Sequence, residues 1–184
     1  AVSGMAGAKI DTDAWGIDYV LAGVQKAFAL PPGLAVAAVS ARALERARHV
    51  PPRSFYFNLP DMYKFHQKNQ TPATPAIPQM FALDAQLDAM VAEGIENRFA
   101  RHAKMAAAVQ AWAKKHFDIY PEKGYWSQTL TCIKNTREID ASAMIKSLVN
   151  DYNARIENGY GDLKGKTFRI AHMGDVQIDQ IYGL

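Results

Sequence analysis

Asp13-Ala14-Trp15-Gly16-Ile17-Asp18-Tyr19-Val20-Leu21-Ala22-Gly23-Val24-Gln25-Lys26-Ala27-Phe28-Ala29-Leu30-Pro31-Pro32-Gly33-Leu34 is the stretch whose reading decides the fold. Ile17 to Ala22 is an apolar run of strand length, and Gly23-Val24-Gln25-Lys26 leaves it. Pro31-Pro32-Gly33 then forces a turn before a second apolar run, Leu34 to Val39. Short apolar runs punctuated by glycine and proline are the pattern of α/β folds. The same reading puts Lys26 where a strand exits into a loop. An amine held partly out of water there favours its neutral, nucleophilic form. Most lysines beside a loop are solvated surface charges, and local features alone favour that second reading.

Downstream, Ser40 is placed to cap a helix running through Arg48, Pro51-Pro52 breaks the chain, and Ser54 to Phe57 reads as a strand. In Asn69-Gln70-Thr71-Pro72-Ala73-Thr74-Pro75-Ala76-Ile77-Pro78, prolines enclose the threonines in a stiff extended segment. Met80, Phe81, Leu83, Leu87, Met90 and Val91 follow helical spacing up to Gly94. A second helix carries Ile95, Phe99, Ala106, Val109 and Ala113 on one side. Arg98, Arg101, Lys104 and Lys115 are among its polar positions, and Arg101-His102 reads as a solvated face. Tyr125 to Ile133 is rich in strand formers; Asp140 caps a helix bearing Met144, Ile145, Leu148, Val149 and Tyr152, with Ile139 stapling onto Met144. Gly159 to Gly165 supplies turn residues before the strand Thr167 to Ala171, in which Arg169 is the single charge.

With 184 residues, 49% hydrophobic and 21% charged, the chain is long enough for one core or one and a half. No apolar run approaches the roughly 20 residues that cross a bilayer, and no basic-then-apolar segment opens the chain, so no membrane association is expected. The net charge of +3 is spread along the sequence without a basic block, which argues against nucleic acid. Cys132 alone forms no internal bridge and fits a reducing compartment, hence the cytoplasm; as a strand residue it reads as core. His49, His66, His102, His116 and His172 are too scattered for metal-ligand spacing, so no metal is expected. The opening at Ala1 without methionine, and the stop at Leu184 just as an apolar pattern begins, suggest part of a longer chain.

The stretch from Asp13 to Leu34 resembles the cofactor-lysine segment of the class V, pyridoxal-phosphate-dependent aminotransferases, in which an acid-rich turn and a Gly-Ile-Asp strand lead to Gln-Lys and then Pro-Pro-Gly. Two further blocks fall in the family's order: Thr71-Pro72-Ala73-Thr74-Pro75, and Phe168-Arg169-Ile170-Ala171-His172-Met173-Gly174-Asp175. These look most like the alanine/serine-glyoxylate branch and its phosphoserine aminotransferase relatives.

The resemblance implies a fold-type I α/β architecture. Residues 1–75 would end a large, mainly parallel-sheet domain that binds pyridoxal 5'-phosphate, and 76–184 would form most of a small C-terminal α+β domain. It implies that Lys26 forms the Schiff base with the cofactor and moves the proton between Cα and C4′, and that Gln25 helps hold the phosphate. It implies that Arg169 pairs with the substrate α-carboxylate. Thr71 and Thr74, with Gln70 beside them, would reach the phosphate bound in the partner subunit, which makes the protein a homodimer with shared active sites. His172, three positions after Arg169 at a strand end, lines the substrate pocket or is a satisfied structural histidine; both readings stay open. The sequence departs from the pattern at Val24, where a serine is common. The family's aspartate for the pyridine nitrogen would lie directly before Ala1, and the phosphate-binding helix start further upstream. The expected reaction is transfer of an amino group between alanine or serine and a 2-oxo acid such as glyoxylate or pyruvate. Phosphoserine aminotransferase is the alternative, and a non-catalytic dimerising remnant is the alternative of another class.

Overall fold

In the computed structural model, which describes residues 1–184, strands β1 (Tyr19–Gly23) and β2 (Ala35–Val39) pair antiparallel, with Tyr19 opposite Val39 and Gly23 opposite Ala35. Val20 and Ala22 point inward while Tyr19 and Leu21 face out, the alternation a strand imposes. Helix α1 (Ala41–Arg48) starts at Ser40, whose hydroxyl oxygen accepts from the Ala43 amide at 3.0 Å and donates to Asp18 Oδ1 at 2.7 Å. One side chain thus caps the helix and ties it to the start of β1.

Ser54 to Phe57 is an exposed turn, not the expected strand. The Ser54 hydroxyl accepts from the Phe57 amide at 3.3 Å, a local bond that competes with ladder formation, and the segment joins neither sheet. An unexpected short helix, α2 (Leu59–His66), follows, with Pro60 in its first turn where proline's missing N–H costs nothing.

Helix α3 (Ile77–Glu93) ends and α4 (Ile95–His116) begins at Gly94, whose φ of 82° is open to glycine and strained for other residues. Leu83 and Met90 of α3 join a core of Ala22, Val24 and Phe28, so α3 packs on the lysine hairpin although the expected domain boundary falls just before it. The other apolar residues of α3 do not find a core: Phe81 is 73% and Val91 80% exposed, with Ile77, Met80 and Leu87 also outside.

The second sheet has the order β3-β4-β6-β5, built from β3 (Asp118–Ile119), β4 (Leu130–Lys134), β5 (Glu157–Asn158) and β6 (Thr167–Ala171). Ile119, Ile133, Phe168 and Ile170 point from it onto Val109 and Ala113 of α4, and α5 (Ala141–Tyr152) adds Met144, Ile145 and Leu148. The strand expected from Tyr125 begins only at Leu130, because Trp126 Nε1 donates to the Pro121 carbonyl at 3.0 Å and the Ser127 hydroxyl takes the Thr129 amide at 3.1 Å, holding that segment in a loop. Asp140 caps α5 as expected, accepting from the Ser142 and Ala143 amides. A last helix, α6 (Ile178–Tyr182), closes the chain over the second core. Every strand pairing is antiparallel, so the parallel sheet expected of a large domain has no strand pair within these residues. No helix is long and apolar enough to cross a membrane, and no group of three His, Cys, Asp or Glu is placed to hold a metal ion.

Candidate active site around Lys26

Lys26 sits in a tight turn directly after β1: its amide donates to the Gly23 carbonyl at 3.2 Å, its own carbonyl accepts from Ala29 at 2.9 Å, and the Leu30 amide reaches Val24 O at 3.0 Å. Val24 and Ala27 are fully buried, Gln25 points outward and Lys26 is half-buried. None of the ion pairs involves its amine. A Cβ at Gly23 would stand 2.5 Å from Gln25 Oε1, so glycine is what lets that carboxamide fold back beside the strand end. A lysine amine in no ion pair, beside the exposed Gln25 carboxamide, suits an aldehyde carrying an anionic tail.

The wall behind the turn was not expected. Arg98, 2% exposed, donates from Nη2 to the Ala27 carbonyl at 2.8 Å and from Nε to the Ala6 carbonyl at 3.1 Å. Its Nη1 contacts Glu93 Oε2 at 2.8 Å and Asp175 Oδ1 at 3.1 Å. Arg101 donates to both Glu93 oxygens and to the carbonyls of Gly174 and Val176. These two guanidiniums hold the Glu93 carboxyl down at about 2, against 4.5 ordinarily, Arg101 contributing most. His102, expected on a solvated face, has no exposed surface: Nδ1–H donates to the Arg98 carbonyl at 2.8 Å and Nε2 accepts from the Gly174 amide at 3.0 Å. That pair of bonds fixes a neutral ring, and burial lowers its pKa. The buried stripe of α4 runs Arg98, His102, Met105, Ala106, Val109, Ala113, and its helical spacing is the available signal; placing Arg98 among the polar positions and His102 on a solvated face hides it.

Arg169 lies in the middle of β6 opposite Cys132, on the sheet face turned away from α4. Its Nε donates to Asn158 O at 2.9 Å and its guanidinium stacks on Tyr160, 4.1 Å from the ring centre, which leaves both Nη nitrogens for a planar carboxylate. His172 lies inside the chain, next to β4. It has no exposed surface; Nε2 accepts from the Thr131 hydroxyl at 2.8 Å, Nδ1–H donates to Gln128 O at 3.2 Å, and burial pushes its pKa down to about 4. With both ring nitrogens engaged inside the chain, the structural reading of His172 is the one its surroundings favour.

Gln70, Thr71 and Thr74 are exposed on the loop between α2 and α3, where the Thr71 hydroxyl donates to Ala73 O at 2.6 Å. Neither threonine caps α3, whose N-cap position is Ala76, without a side-chain cap bond. No hydrogen bond joins this loop to the Lys26 turn within the chain.

Residues 1–161 match the family model described as aminotransferase class-V. The chain belongs to the class V aminotransferases. It is 35% identical to the L-aspartate–glyoxylate aminotransferase of Paracoccus denitrificans over 180 residues, 95% of this chain and 45% of that protein. It is likewise 35% identical to the serine–glyoxylate aminotransferase of Arabidopsis thaliana, over 99% of this chain and 46% of that one. The crystal structure of a Nostoc alanine–glyoxylate aminotransferase superposes over 100% of this chain and 50% of its own, at a TM-score of 0.90 and 26% identity. The chain thus spans about half the length of the class V relatives it matches, and its architecture is that part of a fold-type I, pyridoxal-phosphate-dependent transferase.

Proposed function

We propose that the whole protein is an aminotransferase that moves an amino group between an amino acid, alanine or serine, and a 2-oxo acid such as glyoxylate or pyruvate, with Lys26 as its catalytic residue. The observation that carries this reading is the half-buried residue Lys26, its amine in no ion pair, on a strand-exit turn of a class V chain. Likeness at 35% identity to glyoxylate-using aminotransferases supports this choice over phosphoserine aminotransferase. Residues 1–75 complete the cofactor domain and 76–184 form the small domain, with α3 packed across the boundary.

Bound pyridoxal phosphate supplies the carbonyl carbon that takes and returns the amino group and a ring that accepts electrons from the substrate's α-carbon. The chain's own residues do the rest. Lys26 Nζ would hold the cofactor and would take the proton from the substrate α-carbon and return it. Gln25 would offer its carboxamide N–H to the phosphate. The Nη pair of Arg169 receives the α-carboxylate as a two-bond fork, held in plane by Asn158 O and Tyr160. His172 supports the base of β6 from within.

We further propose a homodimer in which Gln70, Thr71 and Thr74 reach the partner's phosphate. The exposed α3 residues Ile77, Phe81 and Val91 are the apolar surface that such an association would bury. A lone free thiol, Cys132, is consistent with a cytoplasmic protein.

Borohydride reduction of the purified whole protein followed by peptide mapping tests the assignment: a pyridoxyl group is expected on Lys26. An adduct on another lysine, or none, overturns it. Amino transfer from alanine and serine to glyoxylate, with none from phosphoserine, is the matching substrate result, and a protein that binds no cofactor would be the non-catalytic remnant.

A further inference from the structure

Arg98 is the most costly group in the chain to bury, and its four contacts come from four separate segments: Ala6 before β1, Ala27 in the lysine turn, Glu93 ending α3 and Asp175 after β6. Stability alone does not call for such a group, since well-packed apolar residues often serve a core equally well. What a guanidinium adds is geometry, because its donors lie in one rigid plane. The turn it grips is weak by itself. Ala29 has a φ of 59°, a strained value for a side-chain-bearing residue, and the turn closes on short backbone bonds only.

Two glycines show how closely the rest of the wall presses on that turn. A Cβ at Gly174 would lie 2.9 Å from Ala29 Cβ and 3.5 Å from the Lys26 carbonyl oxygen. A Cβ at Gly7 would meet Ala27 Cβ at 3.1 Å and His102 at 3.1 Å. Backbone on both sides therefore touches the turn, and Arg98 binds both sides together through Ala6 O and Asp175.

We infer that Arg98 is a positioning residue for Lys26: its fork, bonded to the Ala27 carbonyl, fixes the depth and direction at which the lysine amine is presented. The inference rests on the Lys26 reading above. It assigns a role in the reaction to a residue on α4 that touches neither substrate nor cofactor.

The test uses the whole protein as isolated, with Arg98→Met, which removes the charge and all donors, and Arg98→Lys, which keeps the charge without the fork. Amide exchange in the peptide spanning Lys26 to Leu30 should speed up about tenfold, the equivalent of one lost charge-assisted hydrogen bond, while exchange in β4 and β6 stays within about twofold. The pH midpoint of the visible absorption of bound pyridoxal phosphate should also move, since that midpoint reads the placement of the lysine amine. Both results are required. Uniform acceleration across all elements, unchanged exchange, or an unmoved midpoint would show that Arg98 only stabilises the fold. If Arg98→Met does not fold, Arg98→Lys decides alone by the same two readings. A wild-type protein without a visible band, or with its pyridoxyl adduct elsewhere, removes the Lys26 reading itself. A normal wild-type band with unaffected variants removes only the role of Arg98.

Discussion

Glu93, on the last turn of α3, and Arg101, on the second turn of α4, meet across the Gly94 bend in a two-bond ion pair at 2.6 and 3.0 Å. Glu93 also faces Arg98 at 2.8 Å, so one carboxylate bonds to both guanidiniums at the helix junction while Asp175, 3.1 Å from Arg98, supplies the second negative charge.

Glu93→Gln should therefore destabilise the protein by about 2 kcal/mol, because it leaves a buried arginine short of charge while the amide oxygen still accepts a bond. Urea unfolding of wild type and variant checks this. A change near zero would mean that Asp175 alone balances Arg98.

Acid should unfold the protein earlier than its carboxylates alone would require. His102 and His172 are neutral in the folded state with pKa values below the usual 6.5, that of His172 about 4. An unfolded chain takes up protons as pH falls through 6.5 and the folded one does not, so stability is complete above 6.5 and is lost on the way down to about 4. By that linkage His172 alone should remove about 2 kcal/mol by about pH 5. Glu93, at about 2 when folded and 4.5 otherwise, adds a loss in the same direction below 4.5. Denaturant midpoints measured from neutral to acid pH, in wild type and His172→Gln, should show the smaller slope in the variant.

Arg169→Lys keeps the charge on β6 but cannot offer two parallel N–H bonds. The Michaelis constants for both amino and oxo acids should rise at least about tenfold, the value of one charge-assisted bond, with the visible spectrum of the bound cofactor unaltered. Loss of cofactor instead would make Arg169 a structural residue, held for its stacking on Tyr160.

Subunit mixing tests the loop that carries Thr71 and Thr74. A Lys26→Ala protein combined with a Thr71→Ala/Thr74→Ala protein should yield hybrid dimers with one intact site and wild-type cofactor affinity. Confirmed exchange without recovery of a tight site would place the threonines in the service of their own chain.

The parts of this architecture legible in the sequence were those encoded within a few residues. Ser40 and Asp140 announced helix starts, Gly94 a helix end, and Pro31-Pro32-Gly33 the turn between β1 and β2, because caps and turns are decided by neighbours. Ser54 to Phe57 misled for the opposite reason: strand composition needs a partner strand, and this segment joins neither sheet. The site divided likewise. Lys26 and Arg169, the residues proposed for the site, stand out by motif and by a lone charge in an apolar strand, whereas the burial of Arg98 is set by carbonyls 92 and 71 positions away in the chain. No local pattern carries that information. His172 offered two readings from its position alone, and only the hydroxyl of Thr131, 41 positions back, favours one.

The distance between Arg98 and the turn it holds bears on the order in which the protein is made. The lysine hairpin pairs residues close in sequence, Gly23 against Ala35, so its partners are both present soon after those residues leave the ribosome. Arg98 follows Ala27 by 71 residues, which at about 5–20 residues per second is a delay of roughly 4 to 14 s. Asp175 comes a further 77 residues later. Throughout that interval the nascent chain carries the lysine turn without the α4 and post-β6 residues that pack against it, so the turn gains its full set of contacts only late in synthesis.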